Sequence, residues 1–210
     1  MKNKSAISVI FLFLLLIFGN SAMAKDESDF DKLVNVVLEI RELSGNKKGD
    51  VNPEILEDKI DVLEGMSIYD DKDISIPDNS KSDSRFIELW DNVLQASRDS
   101  LSDSQVRVER GDPLLSERFH IKKGKSLKKS FQASKNFSIS AIPQAGGLVS
   151  MTIHAYNQKG YDEHFNDMDN FRKGESYRKK KIKLPSKPTT VDIEIFNRSS
   201  KDTTLILIHN

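Results

Sequence analysis

The stretch VDIEIFNRSSKDTTLILIH, residues 191–209, decides how this chain is read. Val191, Ile193 and Ile195 alternate with Asp192 and Glu194, the two-residue period of a strand with one buried face. The run from Thr203 to His209 is apolar at successive positions, as in a strand covered on both faces. Between them, Asn197 to Asp202 supplies turn chemistry, and the pair is expected to form a hairpin.

Strand-like runs of the same kind precede this stretch at close intervals. They fall near residues 118–122, 126–133, 137–142, 147–156 and 176–184. With 191–196 and 203–209 they make about seven strands, with no helix-length crossovers between them. That spacing predicts an antiparallel β-sandwich from 113 to 210 rather than a parallel sheet. Ala145-Gly146-Gly147 reads as a hairpin turn.

Upstream the periodicity changes. Phe30, Leu33, Val34, Val37 and Ile40 recur at three- and four-residue spacing, predicting a helix over 29–44. Ser28 with Asp31 three residues on forms a variant capping box, and Gly45 is expected to stop the helix in the left-handed conformation. A second helix is expected from Pro53, capped by Asn52, with Leu56, Ile60 and Leu63 buried and Gly65 ending it. A third is expected over 85–99, with Phe86, Trp90, Val93 and Leu94 on its apolar face. Residues 67–84 read as a long polar loop. Asp70, Asp71 and Asp73 lack the glycine and glutamate offsets of a calcium-binding loop. Gly111-Asp112-Pro113 reads as a turn and a boundary. The expected fold is therefore α+β: an N-terminal helical segment, 25–112, followed by a C-terminal antiparallel sandwich, 113–210.

Charge divides at the same place. Residues 25–112 carry 12 Lys/Arg and 23 Asp/Glu, whereas residues 113–210 carry 18 and 9. All four histidines lie in the second part. The whole-chain net charge of zero hides this split.

The N-terminus has Lys2 and Lys4, an apolar run from Ile7 to Phe18, and Ala22-Met23-Ala24. That is the pattern of a secretory signal cleaved after Ala24. The run is well short of the roughly 20 residues a membrane span requires. No later run is long enough, so no transmembrane span is expected after cleavage. The chain has no cysteine, which excludes disulfides, thiolate metal sites and a thiol nucleophile. Periplasmic or secreted placement follows as the expectation.

Two basic clusters stand out. Lys122, Lys123, Lys125, Lys128 and Lys129 surround the first expected turn. Arg178, Lys179, Lys180, Lys181 and Lys183 occupy one strand, with Lys179, Lys181 and Lys183 on one face. They admit three readings: a surface for an anionic partner, lysines protecting a sheet edge, or docking against the acidic helices. Nucleic acid is not an expected partner, because no aromatic residues are interleaved with the lysines.

The loop from Asn157 to Gly174 carries Asp162, Glu163, His164, Asp167 and Asp169, following His154. It meets no metal-binding spacing, so no metal or other cofactor is expected. Tyr156, Tyr161, His164, Phe165 and Phe171 are the candidate contact residues there, beside Arg178, Lys179, Lys181 and Lys183 on the basic strand. No G-x-S-x-G elbow or phosphate cradle is present, and no catalytic residue is nominated.

These features favour a non-catalytic binding or assembly protein of the bacterial envelope. Its partner would be an envelope protein or an anionic glycan or lipid. Two alternatives stand beside it: an envelope-polymer hydrolase with a site near His154 and His164, and a secreted effector or toxin, or its immunity partner.

Overall fold

The computed structural model describes residues 27–45, 51, 53–71, 81–103, 110–133, 136–156, 162–166, 178–184 and 189–210. Three helices, α1 (Asp29–Gly45), α2 (Pro53–Leu63) and α3 (Lys81–Asp103), precede or flank a short strand, β1 (Met66–Asp71). Eight more strands follow: β2 (Arg110–Ile121), β3 (Ser126–Ala133), β4 (Asn136–Pro143), β5 (Val149–Tyr156), β6 (Asp162–Asn166), β7 (Arg178–Lys183), β8 (Thr189–Asn197) and β9 (Thr203–His209). They form a five-stranded sheet in the order β1-β2-β9-β4-β7 and a four-stranded sheet in the order β3-β8-β5-β6. The chain is α+β with sandwich-like packing.

The molecule has three layers. Phe119, Ile121, Phe137, Ile139, Leu205 and Leu207 of the five-stranded sheet meet Met151, Ile153, Val191, Ile193 and Ile195 of the four-stranded one. On its other face, Leu114, Ile142, Ile206 and Ile208 join the stripes of the helices, including Leu33, Val37, Ile40, Phe86 and Trp90. Strand β9 is thus covered on both faces, which is why its sequence is apolar without alternation. Strand β8 has the helices' layer nowhere near it and alternates buried with half-buried residues.

Helix α1 begins as its sequence requires. The Asp31 N–H donates to Ser28 Oγ at 3.3 Å, and the Ser28 hydroxyl donates back to the Asp31 carboxylate. Gly65, at φ 79°, provides the left-handed residue after α2. Gly45 works differently from expectation. Its φ is not positive, and it is needed because a Cβ there would lie 2.8 Å from the Ala145 Cβ. The end of α1 therefore abuts the β4–β5 connection.

Three expectations are corrected. First, β8 and β9 do not pair as a hairpin. Strand β8 pairs with β3 and β5, and β9 pairs with β2 and β4, so residues 198–202 arch from one sheet to the other. The Ala145-Gly146-Gly147 turn, with Gly146 at φ 77°, is likewise an arch, from β4 to β5. After β2, every connection except β5–β6 changes sheets.

Second, Gly111-Asp112-Pro113 is not a turn but lies within β2. The pairing of β1 with β2 jumps from Met66↔Arg110 to Ile68↔Leu114, so these residues are accommodated as an irregularity in the ladder. Third, residues 66–71 are not loop. They are a strand added in parallel to β2, which makes the sheet mixed and gives it one strand from the acidic part of the chain. Residues 72–80 of the expected loop, and residues 104–109, lie outside the described residues.

Candidate functional site

The basic strand is turned onto the acidic helix. The Asp31 carboxylate at the start of α1 lies 2.6 Å from Lys179 Nζ and also accepts from Lys181 Nζ. The Asp31 side chain is only 16% exposed. Burial pushes its pKa up, but the bonds from Lys179, Lys181 and Ser28 outweigh that and hold it well below the usual carboxylate range. Lys183 is exposed at the end of β7, opposite Asn136. Arg178 stands at the register position opposite Ala141.

Lys128 and Lys129 on β3 also have carboxylate partners. Lys128 Nζ is 3.8 Å from Glu194, and Lys129 Nζ is 2.7 Å from Glu117. Glu117 is buried between the sheets, with His209 Nε2 3.3 Å from its other oxygen. Burial would raise its pKa, but His209 and Lys129 together lower it.

The expected loop 157–174 contains β6, which extends the four-stranded sheet. Tyr156 pairs with Asp162, His154 with His164, and Phe165 with Ile153. Tyr161 and Phe171 lie outside the described residues. Across the sheet, His154 is also opposite Asp192, and Asp192 is opposite Ser130. The Ser130 hydroxyl donates to Asp192 Oδ1 at 2.6 Å. The row Ser130, Asp192, His154 therefore places a carboxylate between the hydroxyl and the His154 position, with His164 next in register. A nucleophile–base pair requires the hydroxyl on the imidazole instead. Among the described residues no three His, Asp or Glu side chains gather as metal ligands.

The arches build a surface that sequence reading did not assemble. At one end of the sandwich, residues 122–125, 144–148 and 198–202 are tied together. Asn197, 1% exposed, is the hub. Its Nδ2 donates to the Ile121 and Lys201 carbonyls at 2.9 Å each, and its Oδ1 accepts from the Ser199 N–H at 2.8 Å. The Arg198 N–H donates to the Leu148 carbonyl at 2.9 Å, and the Leu148 N–H donates to Ser199 Oγ at 2.8 Å. The Gln144 side chain accepts from the Thr204 N–H at 3.2 Å.

Asp202 is the one acid in these three segments. It accepts from the Lys123 N–H at 2.8 Å and lies 3.5 Å from His120 Nε2. That backbone bond is the main reason its pKa is lowered, with His120 adding to the effect.

The braced end displays Lys122, Lys123, Lys125, Arg198 and Lys201, all exposed. Among the described residues, Lys122, Lys123, Lys125 and Lys201 have no carboxylate at ion-pair distance, unlike the strand lysines above. Beside them, Leu148 is 38% exposed and Phe196 is 39% exposed. The charge of residues 122–125 was legible in the sequence. Their union with Arg198, Lys201 and Leu148 was hidden behind the hairpin reading.

No family model matches the chain, and no curated protein matches it. Among solved structures, the pre-peptidase C-terminal domain of collagenase from Bacillus anthracis is 13% identical, with a TM-score of 0.32, over 44% of this chain and 87% of that one. PliG from Salmonella Typhimurium, a periplasmic inhibitor of g-type lysozyme, is 12% identical, with a TM-score of 0.29, over 46% of this chain and 89% of that one. A mutant of PliG from Escherichia coli is 14% identical, with a TM-score of 0.28, over 49% and 92%. Each likeness spans under half of this chain, and at these TM-scores none carries an argument here. Among the described residues no helix is long and apolar enough to cross a membrane.

Proposed function

We propose that this chain is an exported, non-catalytic binding or assembly protein of the bacterial envelope, periplasmic or secreted, that engages its partner through the arches of the sandwich. One observation carries the reading. The strand lysines Lys128, Lys129, Lys179 and Lys181 are matched by carboxylates of the same chain, whereas Lys122, Lys123, Lys125 and Lys201 are displayed on a hydrogen-bonded frame with none at ion-pair distance among the described residues. Rigid arches on a sandwich hold contact residues in place before binding, which lowers the ordering cost of association. The positive field at this end attracts an anionic partner, either an acidic face of an envelope protein or an anionic envelope component. The basic strand contributes to the fold through Asp31, so Lys179 and Lys181 serve first as an internal clamp.

The test is affinity capture from intact envelopes, using the chain from Lys25 onward, which carries every described element. Wild type is compared with a variant in which Lys122, Lys123, Lys125 and Lys201 are changed to Gln. A partner retained by wild type and lost by the variant supports the reading. Equal retention by both, or cleavage of an envelope polymer that His154→Ala abolishes, contradicts it.

A further inference from the structure

The braced end combines cations with exposed apolar side chains, and that combination narrows the partner. Phe196 lies on the outer face of the four-stranded sheet, opposite Ser126 on one side and Ser150 on the other. Its flanking neighbours on both strands are small, and the residue is left partly exposed. Leu148 precedes β5, and its carbonyl accepts from the N–H of Arg198, two residues past Phe196 and just beyond the end of β8. That bond places both residues at the same rim, where the Asn197 N–H donates to the Lys125 carbonyl and Asn197 Nδ2 to that of Lys201.

We propose that this end docks on a bilayer surface of anionic lipids. Lys122, Lys123, Lys125 and Lys201 lie over the headgroup phosphates, and Phe196 and Leu148 enter the interfacial zone. A soluble polyanion needs only the charges. Exposed Phe and Leu among lysines gain from contact with a surface that is anionic outside and apolar beneath. The charge distribution orients the chain the same way. The acidic helices cover the far face of the five-stranded sheet, on the opposite side of the sandwich from Phe196. An anionic surface is thus drawn to the lysines and kept from the helical face, although the end of α1 reaches the arches at Ala145. The arches are held by Asn197, Ser199 and Asp202, and Gly45 of α1 backs Ala145, so the surface is formed before contact.

The proposal rests on the reading that the arches are the contact surface, and its test separates the two. The chain from Lys25 is co-sedimented with vesicles of phosphatidylcholine, with and without phosphatidylglycerol. Binding is expected only to the anionic vesicles, and it should weaken as salt rises. Each change of Lys122, Lys123, Lys125 or Lys201 to Gln should weaken it about fivefold. The double variant Leu148→Ser, Phe196→Ser should weaken it about tenfold or more, with circular dichroism showing that the variant is folded at the assay temperature, because each residue is more than half covered. Vesicle binding that survives the double variant in full, together with equal displacement by dextran sulfate, overturns the proposal in favour of a charge-only polymer site. Absence of vesicle binding also overturns it. In that case the Gln variant's loss of a captured envelope protein would leave the broader function standing.

Discussion

Asp31 is one of the points, with the Arg118–Asp91 pair, where the acidic and basic parts of the chain are clamped, and replacing it with Ala is expected to loosen that clamp measurably. The carboxylate serves two lysines on β7 and the capping serine of α1. Each ion pair is worth up to about 1 kcal/mol, the upper end applying because Asp31 is mostly buried while the lysines are partly exposed. Its charge at the start of a helix adds about 0.5 kcal/mol. Asp31→Ala should therefore cost about 2 kcal/mol in low salt, or a midpoint shift of about 4–8 °C for a chain of this size. High salt screens the ion pairs, and the loss should fall to about 1 kcal/mol. The acid dependence has a fixed sign. Because the folded pKa is depressed, the contribution of Asp31 is complete above the ordinary carboxylate value near 4 and is lost as pH falls below it. Wild type and variant should converge there. Thermal unfolding followed by circular dichroism, in a matrix of salt and pH, reads all three effects. A low-salt midpoint indistinguishable from wild type, or a gap that widens in acid, would refute the reasoning.

Three further outcomes are expected. Glu117→Gln should cost about 1–3 kcal/mol at neutral pH, discounted from a fully buried pair because Lys129 is partly exposed. Since the Glu117 pKa is also depressed, the variant should flatten the acid side of the stability–pH curve below about pH 4.5; chemical denaturation at several pH values would show it. Asn197→Ala leaves the Ile121 and Lys201 carbonyls and the Ser199 N–H without their partner, and should cost about 2–4 kcal/mol while speeding amide exchange in residues 198–202. Gly147→Ala places a Cβ 2.8 Å from Pro143 Cβ and 2.9 Å from Thr203 Cγ2, between two strands that cannot both retreat. It should cost about 1–3 kcal/mol by thermal melting.

What the sequence made legible was local. The stripe from Phe30 to Ile40, the Ser28–Asp31 cap and the left-handed Gly65 are encoded within a turn or two of chain. Strands β3 and β9 begin and end where their patterns do, at Ser126–Ala133 and Thr203–His209. What escaped was non-local. Turn residues such as Asn197 to Asp202 are chemically alike whether the chain folds back within a sheet or arches to another, and only strand partnership distinguishes them. Strand β1 has little apolar pattern of its own and is a strand because β2 offers an edge. Gly111-Asp112-Pro113 carries turn chemistry that the ladder absorbs as an irregularity. The candidate surface was obscured for the same reason. Its residues lie about 75 positions apart in the chain and meet because arches from different strand pairs converge, as the bond from the Lys123 N–H to Asp202 shows.

The most direct test of the account is a chemical-shift map of the chain from Lys25, titrated with small bicelles containing phosphatidylglycerol. Amide shifts should concentrate in residues 122–125, 144–148 and 196–202, with β7 unmoved. Shifts centred on residues 178–183, or the same pattern with purely zwitterionic bicelles, would contradict it.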